Sequence, residues 1–366
     1  MQCRPHSGKH SRDKLPGQRD APVAAHNMKR ERTMVRFGVL GAGRIGKVHA
    51  KAVTGDANAQ LVAVADAMAP AAQAIADQYG CEVRSVDAIL AARDIDAVVI
   101  CTPTDTHADL IEAFVKAGKA VFCEKPIDLS LSRVKACLAV VRAHKGTLMV
   151  GFNRRFDPHF RAVRAEIDKG TIGAVEMVTI TSRDPGAPPV EYIARSGGIF
   201  RDMTIHDFDM ARFLLGEEIT EVFAMAAVLV DPAIGKAGDF DSVQVMLKTA
   251  TGKQAMISNS RRATYGYDQR IEVHGSKGAV AAENQRPVSI EVANANGYTR
   301  PPLHDFFMTR YTEAYAAEIA TFIAALGGMG KAAPTGEDGL IALALADAAV
   351  RSVAEGRMVK MTEVMG

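Results

Sequence analysis

Two short motifs hold residues that could do chemistry together. Glu124-Lys125-Pro126 places an ammonium group at the end of an apolar run. Lys125 can donate hydrogen bonds to a substrate hydroxyl and stabilise developing alkoxide charge. Pro126 restricts it to extended backbone. Farther along, Asp202 and His206 stand four residues apart behind Gly197-Gly198. On a helix that spacing puts both on one face, close enough to interact, and Asp209 and Phe213 continue the stripe. A carboxylate beside a histidine fixes the ring and keeps its pKa near working pH, which suits removal of a hydroxyl proton. Asp202, His206 and Asp209 could also ligate a metal. No H-E-x-x-H segment or Cys cluster accompanies them, so no metal is expected.

The third motif is Gly41-Ala42-Gly43-Arg44-Ile45-Gly46. It follows a strand-like run and opens a helical one, the context a dinucleotide fingerprint requires. Gly41 allows the tight turn, Gly43 lets backbone approach a pyrophosphate, and Gly46 lets helix and strand pack closely. The helix N-terminus offers free N–H groups to phosphates. Asp66, 20 residues beyond Gly46, should accept hydrogen bonds from ribose hydroxyls and repel a 2′-phosphate, which favours NAD over NADP. Thr102 and Pro103 leave the fourth strand at the same edge and could border the cofactor. His107 is either part of that border or an ordinary first-turn helix residue. Cofactor, ammonium and imidazole together are the parts needed to move a hydride from an alcohol carbon to a nicotinamide.

These residues need a scaffold, and the chain predicts one. Apolar runs at 35–40, 60–66, 96–101, 119–123 and 147–151, with a short strand at Val83, alternate with helical stretches joined by short connections. That pattern means a doubly wound parallel sheet, an α/β Rossmann fold, over residues 34–152. From residue 153 to 366 a helix at about 158–169 precedes longer strands at 174–182, 220–230, 241–249, 253–262 and 268–275. Hairpins are expected around Thr251-Gly252 and at 275–278. The second half therefore reads as an α+β domain with a large, open, mostly antiparallel sheet. Residues 286–305 read as loop, and helices at about 309–326 and 336–355 close the chain. An open sheet needs cover, which favours a homo-oligomer, dimer or tetramer, through that face.

Composition sets the outer limits. Eight of 44 Lys/Arg and three of 42 acidic residues fall in residues 1–33. The remainder is mildly acidic, so no nucleic-acid surface is expected. Trp is absent, which excludes sugar recognition by Trp stacking. Five cysteines without a C-x-x-C pair argue against a disulfide framework and for a reducing, cytoplasmic compartment. No run is long and apolar enough to span a bilayer. Residues 1–33 are polar and aperiodic, and are expected to be disordered. Met34, just before the first strand, is a plausible alternative start.

The three motifs, in this order, resemble the glucose–fructose oxidoreductase / inositol dehydrogenase / rhizopine catabolism family over residues 34–366. The resemblance implies a catalytic set of Lys125, Asp202 and His206, with Glu124 and Lys125 beside NAD. Further segments (G-F-N-R-R-F-D at 151–157, R-D-M-T-I-H-D-F-D at 201–209, Y-G-Y-D at 265–268) resemble the members acting on inositol. They imply polyol contacts from Arg154 and from Tyr265 or Tyr267, and oxidation of a ring secondary alcohol of myo-inositol to the ketone. The residues Ser182, Arg183 and Asp184 after the first strand of the second half leave the isomer open. A sibling enzyme for scyllo-inositol or a pyranose, and a non-catalytic dinucleotide sensor, are the alternatives.

Overall fold

The structure, a computed structural model, describes residues 34–366; the tail expected to be disordered, residues 1–33, lies outside the described residues. The first half forms a six-stranded parallel sheet in the order β3-β2-β1-β4-β5-β6. Its strands are β1 (Val35–Leu40), β2 (Ala59–Ala65), β3 (Glu82–Val83), β4 (Ala97–Ile100), β5 (Ala120–Glu124) and β6 (Leu148–Gly151). Between them run α1 (Arg44–Thr54), α2 (Ala69–Tyr79), α3 (Val86–Ala91), α4 (His107–Lys116) and α5 (Leu131–Ala143). Every side chain of β4 is buried, as a strand covered on both faces requires. Gly80 ends α2 in the left-handed conformation, which a glycine adopts without a Cβ penalty.

The second half opens with α6 (Pro158–Asp168), capped by Asp157. There follow β7 (Val175–Arg183), α7 (Val190–Ser196), a π-helical turn at Phe200–Thr204, α8 (Ile205–Leu215), β8 (Ile219–Ala227) and α9 (Pro232–Lys236). The remaining large strands are β9 (Ser242–Thr249), β10 (Gln254–Ser260), β11 (Asp268–Gly275) and β12 (Gly278–Ala282). A small hairpin, β13 (Val292–Asn294) with β14 (Gly297–Thr299), lies in the segment expected to be loop. The chain closes with α10 (Phe307–Arg310), α11 (Thr312–Leu326), α12 (Gly336–Glu355), β15 (Val359–Lys360) and α13 (Thr362–Met365). One helix was expected where α10 and α11 stand. Tyr311 leaves helical backbone between them, is buried, and donates its hydroxyl to Gln269 Oε1 at 3.2 Å.

The second sheet has seven strands in the order β12-β11-β7-β10-β9-β8-β15. It is antiparallel except where β7 and β10 pair in parallel. Residues of β9 alternate between buried and exposed, the pattern of a sheet covered on one face. Helices α8 and α12 cover that face. The other face is open and carries Met177, Met225, Met246 and Met256, each at least 41% exposed. The segment before α12 returns to the edge of the first sheet, where the Val150 N–H donates to the Pro334 carbonyl at 2.9 Å. Thr335 and Asp338 then form a capping box that starts α12.

Candidate active site

The Gly-rich turn is as tight as its sequence implies. Gly41 has φ +94°, and a Cβ there would fall 2.5 Å from the Cys101 carbonyl. A Cβ on Gly46 would fall 1.9 Å from the Gly41 carbonyl oxygen. A Cβ on Gly43 would meet nothing within 4 Å. Gly43 is the N-cap of α1 and contributes no capping side chain. The space beside Gly43 is thus open where α1 begins with Arg44 and Ile45, as a phosphate cradle requires. Asp66 follows β2 and accepts hydrogen bonds from the N–H groups of Ala42 (2.5 Å) and Met68 (2.7 Å). Thr102 and Pro103 lie in the loop after β4, and the Thr102 N–H adjoins Gly41. His107 begins α4 and is buried, its ring nitrogens 2.8 Å from the Pro126 carbonyl and 2.7 Å from the Thr102 carbonyl. It thus ties the loop after β4 to the Glu124-Lys125-Pro126 turn. These features fit a dinucleotide.

Lys125 reaches from the end of β5 to the second half of the chain. Its Nζ donates to the Asp202 main-chain carbonyl at 2.8 Å and lies 3.5 Å from Asp202 Oδ1. The Asp202 carboxylate also accepts from the Tyr192 hydroxyl at 2.9 Å and from Arg261 at 3.5 Å. It does not pair with His206 as the four-residue spacing predicted. Residues 200–204 form a π turn, whose wider i→i+5 ring sets residues four apart out of line. His206 lies in the first turn of α8 instead, with Nδ1 buried and unpartnered and its ring edge-on to Phe152 at 6.2 Å. Its pKa differs from expectation too. Burial, then the charges of Lys125 and Arg154, hold the imidazolium well below the ordinary 6.5. A neutral imidazole beside an ammonium group is equipped to take a proton.

Arg154 is 5% exposed. Its guanidinium donates to Asp207 Oδ1 and, at 3.0 Å, to the Ser182 hydroxyl. Asn259 donates to the other oxygen of Asp207 at 2.8 Å. The expected polyol contact would therefore come from a cation already held from behind. The two candidate tyrosines separate cleanly. Tyr265 lines a groove on the open face of the second sheet with Met225 and Gln244, and its hydroxyl donates to Asp268 at 2.6 Å. Tyr267 is buried against Phe306 and Tyr311, within electrostatic reach of Arg154 and Asp184. Asp209 is bound by Arg155 at 2.6 and 2.8 Å and does not join Asp202 and His206.

Two residues near the site escaped the sequence reading, and a third, Asp184, was read only as leaving the isomer open. Tyr192 lies in the Pro-flanked helix α7, too short to leave a periodic signal. Arg261 is one of two adjacent arginines, and only the fold shows that it is the buried one. Asp184 had a signal, its place just after the first strand of the second half. Burial, opposed by Arg261 and reinforced by Asp202, pushes its carboxyl up to about 7.

Comparison with known proteins places these features. Residues 35–152 match the model of an oxidoreductase family with an NAD-binding Rossmann fold, and residues 160–281 match the GFO/IDH/MocA C-terminal domain. The chain is 77% identical over 327 residues to an inositol 2-dehydrogenase of Rhizobium meliloti, covering 89% of this chain and 99% of that one. A myo-inositol dehydrogenase structure from Corynebacterium glutamicum superimposes with a TM-score of 0.86 at 45% identity, covering 89% and 98% of the two chains. A scyllo-inositol dehydrogenase from Lactobacillus casei, solved with NAD(H) and scyllo-inositol, gives 0.84 at 30% identity, covering 90% and 100%.

Proposed function

This chain belongs to the GFO/IDH/MocA family of NAD-dependent oxidoreductases, and from that premise we propose that it oxidises myo-inositol at a ring secondary alcohol, giving 2-keto-myo-inositol. The 77% identity to an inositol 2-dehydrogenase over nearly its whole length carries the substrate assignment. The cofactor, when bound, accepts the hydride. Gly41, Gly43, Arg44, Ile45 and Gly46 hold its phosphates, Asp66 the ribose, and Thr102, Pro103 and Glu124 border it. Residues 34–152 form the lobe that binds it, and residues 153–366 form the lobe that binds the polyol.

In this reading Lys125 hydrogen-bonds the reacting hydroxyl and stabilises negative charge as it develops on that oxygen. His206, neutral at physiological pH, removes the hydroxyl proton at a ring nitrogen. Asp202 holds the Lys125 ammonium in place. Arg154 and Tyr267 contact the remaining hydroxyls of the ring. Tyr265, turned to the open sheet face, has no part. The exposed methionines of that face support association of copies into a dimer or tetramer. Among the described residues no helix is long and apolar enough to cross a membrane. The four described cysteines are free thiols, which fits a reducing cytoplasm.

A panel of myo-inositol, scyllo-inositol and pyranoses, each with NAD and followed by NADH absorbance, tests the assignment. The highest kcat/KM should fall on myo-inositol. Preference for scyllo-inositol or a sugar would move the chain to a sibling activity.

A further inference from the structure

The Asp202 carboxylate stands between two cations. Lys125 Nζ lies 3.5 Å from its Oδ1, and Arg261 Nη1 lies 3.5 Å from its Oδ2. A third partner is closer than either: the Tyr192 hydroxyl donates to Oδ1 at 2.9 Å. The reaction outlined above makes no use of that phenol.

Arg261 is buried, and its Nε and Nη2 have no hydrogen-bond partner among the described residues. Its other acid, Asp239, lies 3.7 Å from Nη2 and is pinned by the Ile199 N–H, which donates to Oδ1 at 3.0 Å. Buried donors left without acceptors are costly, so the guanidinium attracts whichever carboxylate can turn. Asp202 is that carboxylate, because the last torsion of an aspartate is soft unless its oxygens are held. Lys125 carries three donors on a flexible stem. One reaches the Asp202 main-chain carbonyl at 2.8 Å. A turn of the carboxylate toward Arg261 would leave the ammonium with that contact alone. The Tyr192 hydroxyl, bound to the oxygen nearer Lys125, opposes the turn.

The local fold brings the phenol there. Tyr192 lies on α7, and Asp202 lies in the π turn ten residues later. Gly197 and Gly198, both at φ +82°, reverse the chain between them. Arg195, also on α7, lies 3.8 Å from Asp105 in the loop after β4, so this short helix touches both halves of the chain. We propose that the Tyr192 hydroxyl keeps the Asp202 carboxylate on Lys125 against the pull of Arg261. Tyr192 is then a positioning residue that acts on the ammonium through Asp202. This inference rests on the role given to Lys125 above.

Tyr192→Phe removes the hydroxyl and keeps the ring, so a role in packing alone would leave it like wild type. It should lower kcat about 10-fold, the worth of one hydrogen bond to a charged group, with KM for myo-inositol nearly unchanged. Added to Asp202→Ala, the same substitution should cost almost nothing more, since residues that act through one contact are not additive. A phenol that touched the polyol itself would cost the same factor in both backgrounds. Acetylation of the full-length protein with acetic anhydride, read at Lys125 by peptide mass spectrometry, tests the restraint without substrate. Lys125 should label faster in Tyr192→Phe than in wild type, with the remaining lysines unchanged. Equal labelling of Lys125 in the two proteins, wild-type kcat in Tyr192→Phe, or equal losses in both backgrounds would each overturn the proposal. Faster labelling in a protein that oxidises no polyol would overturn the function assigned above and support the restraint on Lys125.

Discussion

Lys125 and Asp202 come from the two halves of the chain and meet: the ammonium donates to the Asp202 main-chain carbonyl at 2.8 Å and lies 3.5 Å from its carboxylate. The contact brings the end of β5 to the π turn that leads into α8. It sets an ammonium group close enough to His206 to depress the imidazole's pKa. Proton removal and charge stabilisation thereby fall to two residues 81 positions apart in the chain.

Replacing Lys125 with Met keeps the stem and removes the charge. The variant should lose about 10²- to 10³-fold in kcat, the worth of one donor at a developing oxyanion. NAD titration of the variant should give nearly the wild-type Kd. A rate close to wild type would remove Lys125 from the reaction.

The same charge makes a second prediction, about pH. Burial, Lys125 and Arg154 all disfavour the imidazolium of His206. The neutral base therefore persists to lower pH than a free histidine would. Its contribution to the acid limb of kcat/KM should lie below pH 6.5. In Lys125→Met one repelling charge is gone, so the residual activity should show that limb shifted upward.

Asp184 titrates separately, near pH 7. Because its folded pKa is raised above 3.8, the folded state binds more protons than the unfolded one between those values. Its contribution to stability is greatest at low pH and is lost as pH rises toward 7. Asp184→Asn should thus raise Tm relative to wild type at pH 8 and have less effect at pH 5. An equal Tm change at both pH values would contradict the shifted carboxyl.

The glycines of the turn should divide by what surrounds them. Gly46→Ala drives a Cβ into the Gly41 carbonyl and should lower both Tm and NAD affinity. Gly43→Ala meets nothing in the protein. It should leave Tm unchanged and weaken NAD binding, since only the cofactor's pyrophosphate approaches there. Thermal melts with and without NAD read both effects.

Much of this was legible in the chain. Strand β1 lies at 35–40 as read, because a short apolar run between a charged tail and a Gly-rich turn admits little else. The parallel sheet followed from short strand–helix connections, while the order of its six strands came from the fold. The Asp202–His206 pairing was misread because a sequence spacing assumes a helix type, and the π turn at 200–204 is not encoded in polarity. Tyr265 and Tyr267 could not be told apart for a different reason. They sit at a corner before β11, where the alternation that would separate the two sheet faces has not begun.

The central claim is that His206 takes the proton as the polyol is oxidised. Steady-state oxidation of myo-inositol by His206→Ala, with NAD affinity measured on the same preparation, tests it most directly. The account predicts a kcat lower by about 10²- to 10⁴-fold and an NAD Kd close to wild type. A variant that turns over myo-inositol at nearly the wild-type rate would contradict it.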